Sequence, residues 1–373
     1  MIATATLAGW IADARHTTLA LVEDLADAQL LGPQLAIVNP LLWELGHVAW
    51  FQEHWVLQTA RELPTPRRGA LYDSSRVPHG ARWSLPLPSR AETLDYLRAT
   101  GAAVLEPLAR AEPADRERDF LWLALFHEDM HDEAFVMTRQ TLGHPEPSFR
   151  GDGRPVVEAE GEATFPRGEV ELGSRRGASE FIFDNEKWAH AVWVEPFSIA
   201  RRATTQGELA AFLDDGGYRR RELWSEAGWR WREAARAEHP VYWRREGGRW
   251  LRRHFDRELP LELSRPAVHV CWYEAEAWCR WAGRRLPTEA EWMRAGVGGR
   301  AGVWEWTAST FVPFPGFVAD PYEDYSRPWF GTHKVLKGGS WATRTRLMRP
   351  AFRNFYTPDR RDVFAGFRSC RAA

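Results

Sequence analysis

The segment His127-Glu128-Asp129-Met130-His131 places two imidazoles four residues apart. On a helix that spacing puts both on one face, where they can reach a single metal ion. Leu123, Phe126 and Phe135 set apolar neighbours along the same stretch and turn the pair towards a helical interior. The spacing fits two surface histidines on an acidic helix equally well. It also fits a zincin-type His-Glu-x-x-His, with Glu128 as the general base of a metalloprotease. The longer third-ligand signatures of such proteases are absent, and in a helical bundle a third ligand comes more naturally from a facing helix. A helix over Pro40–Gln58 offers His47 and His54, seven residues apart and nearly on one face. Either completes a three-histidine set. His47 lies in Leu-Gly-His-Val-Ala-Trp-Phe, where Gly46 permits close approach of a neighbour, and His54 beside Glu53 has surface character. Three neutral imidazoles leave a divalent charge uncompensated and positions open for an anionic substrate and dioxygen. That suits non-haem iron(II), with zinc still open.

The elements that must position these groups are helical over the first 150 residues. Leu19, Val22, Leu25 and Ala26 follow helical spacing, as do Leu42, Leu45, Val48 and Ala49. A third helix is expected from Ser89 to Ala111, with Ser89 as N-cap and Glu92 closing a capping box. A fourth is expected from Asp115 to Leu142, stopping at Gly143 and Pro145. Four such helices imply a bundle. The long loop Leu63–Pro88, rich in Pro, Arg and aromatic residues, is a candidate functional segment. Gly, Pro and Glu accumulate over Gly143–Glu162, which reads as an interdomain linker. Beyond it come short strands (Gly168–Leu172, Ala191–Ile199), helices at Thr204–Leu213, Trp272–Ala282 and Thr288–Ala295, and a last third of strand and loop, hence an irregular α+β domain.

At 373 residues the chain has material for two or three cores. A net charge of −2 argues against a nucleic-acid partner, and no run of eighteen apolar residues points to a membrane. The start lacks a basic flank before a long apolar stretch, and three cysteines (Cys271, Cys279, Cys370) exclude a disulfide framework, so a cytoplasmic location is expected. Most of the 21 tryptophans follow residue 180 and point to a loop-rich fold held by aromatic packing. A minority of these aromatics would serve to cage a quaternary ammonium.

Five motifs together carry a resemblance: Leu-Gly-His47, His127-x-x-x-His131, Arg-Leu-Pro287-Thr-Glu, Val303-Trp-Glu-Trp-Thr and Gly338-Gly-Ser-Trp. Nearly the whole chain resembles the iron-dependent sulfoxide synthases of ergothioneine and ovothiol biosynthesis, together with selenoneine synthase. The implied fold is α+β and multidomain. Residues 1–148 would form a DinB-like four-helix bundle, and residues 149–373 an irregular C-type-lectin-like domain of the formylglycine-generating-enzyme type, with the active site between the two.

The resemblance implies that His47, His127 and His131 bind Fe(II), the cofactor. It implies small-molecule partners: hercynine (Nα-trimethylhistidine), a selenosugar or thiol donor, and dioxygen. Pro321-Tyr322-Glu-Asp-Tyr325-Ser resembles the stretch with the family's catalytic tyrosine, which makes Tyr322 the candidate and Tyr325 its competitor. Arg353-Asn354-Phe355-Tyr356 resembles the substrate-binding stretch, with Asn354 bonding the amino-acid portion. Arg82 stands where some relatives bind the donor, with Arg76 as the other possibility. Glu128, Asp129 and Asp132 include candidates for orienting the ligands, with at least two of them expected as solvated carboxylates on the helix exterior. Tyr356 stands where γ-glutamylcysteine-using relatives have an acid, and Met130 where they carry Gln. A short loop between Trp292 and Val303, and no methyltransferase domain following, separate the chain further from those relatives and from ovothiol-type fusions. Tyr72 through Pro88, Phe126 through His131 and the ending Phe364-Ala-Gly-Phe-Arg-Ser-Cys look most like selenoneine synthase. The expected activity is therefore C–Se bond formation between a selenosugar and hercynine, with C–S bond formation from cysteine or a related thiol as the alternative. Formylglycine generation by Cys271 and Cys279, and a non-catalytic bundle–lectin binding protein, are the other classes.

Overall fold

The computed structural model describes residues 2–64, 68–149, 159–177, 181–296 and 302–372, in two compact units, Met1–Arg150 and Gly151–Ala373. Residues 150–158 of the Gly143–Glu162 linker and residues 297–301 of the Trp292–Val303 loop lie outside the described residues.

In the first unit, α1 (Thr4–Ala20), α3 (Leu41–Gln52), α5 (Arg90–Leu108) and α6 (Asp115–Leu142) pack on one another, with short helices α2 (Asp27–Leu31) and α4 (Gly69–Tyr72) between them. Local chemistry sets the boundaries. Ser89 caps α5 and Glu92 closes the capping box. Gly143, left-handed at φ 67°, ends α6. Two expectations change. The helix expected around Leu19–Ala26 ends at Ala20, and Val22 and Leu25 reach the core from turns. The Pro40–Gln58 helix is α-helical only to Gln52, and Glu53–Ala60 continues as a wider π-helical stretch.

The second unit is built from small sheets. Strands β1 (Glu162–Phe165), β4 (Phe197–Ala200) and β12 (Cys370–Ala372) form one antiparallel sheet, and β2 (Gly168–Leu172) pairs with β3 (His190–Val194). β5 (Trp243–Glu246), β6 (Arg249–His254) and β7 (Arg257–Pro260) make an antiparallel meander. The fourth sheet has the order β10 (Asn354–Tyr356), β9 (Lys334–Gly338), β8 (Trp304–Thr310), β11 (Ala365–Gly366), with β11 parallel to β8. Helices α7 (Gln206–Asp214), α8 (Glu226–Ala234), α9 (Trp272–Trp281) and α10 (Glu289–Ala295) flank them. The single strand expected over Ala191–Ile199 is two strands of different sheets, because Glu195-Pro196 removes a ladder donor between them. The amphipathic helix α8, capped by Ser225, is not among the elements expected from the sequence.

The motif residues of this unit lock to one another. Glu305, fully buried on β8, accepts both arms of Arg368 (2.6 and 2.7 Å) and the indole N–H of Trp292 (2.8 Å). Glu289 takes Arg353 Nε at 3.0 Å, with the Lys337 ammonium 3.7 Å away. These buried bidentate and charge-assisted contacts fix loop-rich chain where regular ladders are short.

Candidate metal centre

Helix α3 carries Trp43, Glu44, His47, Phe51 and Gln52 on its buried surface, and α6 faces it with His127, Glu128 and His131. One ring nitrogen from each of His47, His127 and His131 lies within 4.8 Å of the others. His47 Nε2 and His127 Nε2 stand 3.2 Å apart. Two nitrogens each ~2.1 Å from one ion and at right angles stand about 3.0 Å apart, so this spacing is that of a chelating pair.

The outer nitrogens decide which lone pairs point inward. His47 Nδ1–H donates to the Tyr72 carbonyl at 2.7 Å, and His131 Nδ1–H donates to Glu44 Oε1 at 2.6 Å. In the neutral ring, a proton held on Nδ1 leaves Nε2 as a bare acceptor. Burial holds His47 and His127 well below the ordinary histidine range, and the neighbouring His131 pushes both further the same way. Neutral imidazoles with convergent lone pairs fit a divalent transition ion. The rings are clamped by α3 itself: Trp43 stacks on His47 (5.0 Å, 10°) and Phe51 on His127 (3.5 Å, 4°).

Gly46 has a specific use. A Cβ at this position would fall 2.2 Å from Tyr72 Cε1, so only glycine lets the Tyr72 ring press against α3 and bring its carbonyl to His47. His54 is not part of the cluster; it lies in the π-helical stretch, stacked on Trp50 and 3.2 Å from Gln58 Oε1.

The carboxylates of the His-x-x-x-His segment do not lie where the sequence placed them. Glu128, Asp129 and Asp132 are all buried rather than solvated. Glu128 receives Arg15 Nε at 2.7 Å, Gln52 Nε2 at 2.7 Å and Thr18 Oγ1 at 2.9 Å. It joins α6 to α1 and α3, and its oxygens are spent there, which removes it as a protease base. A carboxylate that does meet one of the three histidines is Glu44, from the facing helix. Its signal was its position three residues before His47, one turn away on the same face.

Arg82 is buried, its guanidinium 3.9 Å from the Trp43 ring centroid and Nη1 2.6 Å from Asn39 Oδ1. Its Nε finds no acceptor, and desolvation lowers its pKa. Arg76 is a surface residue at 81% side-chain exposure, 3.3 Å from Asp73.

The remaining sequence-identified residues cluster in the second unit. Tyr322 lies 6.2 Å from Tyr325, which stacks on Phe183 and meets Phe355 edge-on at 5.9 Å. Burial, followed by the carboxylates of Glu186 and Asp184, pushes the Tyr325 phenol well up. Phe355 stacks on Phe311 at 4.1 Å. Asn354 Oδ1 accepts the Phe355 N–H at 2.8 Å. Arg360 lies over the Tyr356 ring (5.1 Å) and is clasped by Asp362. All three cysteines are free and buried, and burial pushes their thiols up, Cys370 to about 12.

The DinB superfamily model matches residues 11–135, and the sulfatase-modifying factor enzyme 1-like domain matches residues 151–302 and 300–373. A hercynine oxygenase of Mycolicibacterium thermoresistibile is 35% identical over 98% of this chain and 94% of its own length. The chain belongs to the hercynine oxygenase family. A second relative of that name, from Mycobacterium tuberculosis, is 35% identical over 97% of each chain. Ergothioneine biosynthesis protein 1 of Schizosaccharomyces pombe is 24% identical over 88% of this chain and 51% of its own. The family architecture, a helical DinB unit followed by a lectin-like α+β unit, is the one the chain adopts. Among the described residues no helix is long and apolar enough to cross a membrane.

Proposed function

We propose that this family member is a metal-dependent oxygenase acting on hercynine, with His47, His127 and His131 holding Fe(II). The observation that carries the reading is the convergence of three buried imidazole nitrogens in a chain 35% identical to a hercynine oxygenase along almost its whole length. The reaction is C–S bond formation: hercynine, a thiol and dioxygen give the sulfoxide and water, the sulfur joining the ring carbon between the two imidazole nitrogens. The names of the relatives favour this sulfur chemistry over the selenosugar donor expected from the motif comparison.

Bound iron supplies a site for dioxygen and for the donor. The chain's own residues do the rest. Glu44 and the Tyr72 carbonyl hold the protons of His131 and His47 on Nδ1. Tyr322 is the catalytic candidate, its phenol able to give a proton. The aromatic faces of Tyr322 and Phe355 suit a trimethylammonium, and Asn354 offers an amide to the amino-acid portion. Arg82, with an unspent Nε, is the donor-binding candidate. A donor bound near Tyr356 would meet an Arg360 already paired with Asp362, which agrees with a donor less acidic than γ-glutamylcysteine. Formylglycine generation is disfavoured, since its chemistry needs reactive thiolates and these thiols are buried and held protonated. The test is anaerobic loading with Fe(II), then air, with hercynine and a selenosugar and a cysteine-type thiol in competition. A sulfur adduct by mass spectrometry supports the proposal. A selenium adduct alone moves the chain to the selenium branch, and no adduct with either donor overturns the synthase reading.

A further inference from the structure

The three ligand candidates are not equivalent. His47 gives its outer N–H to a neutral backbone carbonyl, whereas His131 gives its own to a carboxylate that is almost fully buried. We propose that Glu44 is a positioning residue that fixes the tautomer of His131, raises its donor strength and places beside the ion the negative charge that three imidazoles lack. This rests on the metal-centre reading above and deepens it.

The placement follows from the helix. Glu44 and His47 are three residues apart on α3, so one face delivers both a ligand and the partner of a ligand on α6. A buried carboxylate is costly unless a charge or strong donor answers it. The Nδ1–H at 2.6 Å is one such donor, and the Arg82 guanidinium is an electrostatic neighbour of Glu44. A cation at the His131 Nε2 side would answer it through the ring. A carboxylate–histidine–metal relay of this kind raises ligand basicity, and its loss typically weakens metal binding ~10–100-fold.

The experiment is an anaerobic Fe(II) titration of the full chain and of Glu44→Gln and Glu44→Ala. Gln keeps an acceptor of the same size and removes the charge, and Ala removes both. The expected result is roughly tenfold weaker binding for Gln and roughly a hundredfold for Ala, with the metal-free proteins keeping native circular dichroism. Native-like affinity in Glu44→Gln overturns the proposal while leaving the metal centre intact. If the unaltered chain binds no iron, the metal-centre reading itself fails, and this inference with it. Should both variants misfold, long-range proton–nitrogen NMR of the metal-free native chain decides, with His131 assigned through His131→Gln. A protonated Nδ1 and bare Nε2 support the role, and the opposite tautomer overturns it.

Discussion

Gly46→Ala perturbs the centre without touching a ligand. The new methyl carbon would stand 2.2 and 2.3 Å from Cε1 and Cζ of the Tyr72 ring and 2.7 Å from its hydroxyl oxygen, distances that no side-chain carbon tolerates. Tyr72 is 1% exposed, so its ring has no solvent to swing into. Overpacking of this kind costs about 1–3 kcal/mol, and the severity of the overlap puts it near the upper figure. Alanine recovers about 1 kcal/mol of helix propensity. The balance is about 2 kcal/mol against the variant, or roughly 4–8 °C in melting temperature for a unit of this size. The displacement also moves the Tyr72 carbonyl, which holds the His47 Nδ1 proton at 2.7 Å. Iron affinity is therefore expected to fall by about tenfold or more. Differential scanning calorimetry of the metal-free protein and an anaerobic Fe(II) titration measure the two effects separately. A Gly46→Ala protein as stable as the parent, with unchanged iron affinity, would refute the role assigned to Tyr72.

Other expectations follow from the same contacts. Glu128→Ala strands the buried Arg15 guanidinium and should cost about 3–5 kcal/mol, read by urea denaturation; a stable but inactive variant would restore Glu128 as a chemical base. Replacing His47, His127 or His131 singly with Ala should abolish stoichiometric iron in metal analysis, whereas His54→Ala should keep it, and an iron-free His54→Ala would move the centre. His269, buried with Nδ1 3.1 Å from the Asp362 carbonyl, is pushed down to about 3 by burial. The unfolded chain therefore takes up a proton near 6.5 that the folded chain refuses, and stability present above that pH is lost as pH falls towards 3. At about 1.36 kcal/mol per pH unit, His269→Asn, which tolerates the left-handed backbone here (φ 62°), should be relieved of ~2 kcal/mol of the parent's loss between pH 6.5 and 5. Identical pH slopes would remove His269 from that account.

What the chain discloses before folding depends on whether the governing interaction is local. The cap at Ser89 and the stop at Gly143 are written within four residues, and each stands where its spacing places it. The His127–His131 pair is likewise a matter of one helical turn. His47 against His54 was not decidable from helical spacing, because both fit; the choice lies in the packing of Tyr72 against Gly46 and of α3 against α6. The burial of Glu128, Asp129 and Asp132 was hidden for the same reason. An acidic run reads as solvated until Arg15, Thr18 and Gln52, up to 114 residues away, are brought to it. The sheets of the second unit were legible only in part, since strands of two to seven residues carry little period and their order depends on distant partners.

Those buried charges bear on why the centre can be built at all. Replacing a buried ion pair with apolar residues often leaves stability unchanged or improved, so Arg15–Glu128 is weak ground for a stable bundle. Its consequence is register. An apolar α6 could rotate or slide on α1 and α3 at little cost, whereas Glu128 accepts from Arg15, Thr18 and Gln52 together only in one setting of the three helices. Glu128 is the immediate neighbour of His127, so the setting that satisfies it on one side of α6 turns His127 and His131 towards His47 on the other. Phe51 stacking on His127 and Gln52 bonding Glu128 are adjacent residues performing the two halves of that alignment. Gln52→Leu, which keeps the bulk and removes the amide, should therefore loosen iron binding more than it lowers the melting temperature. Equal loss in both, or loss of stability alone, would show that the network holds the fold without aiming the histidines.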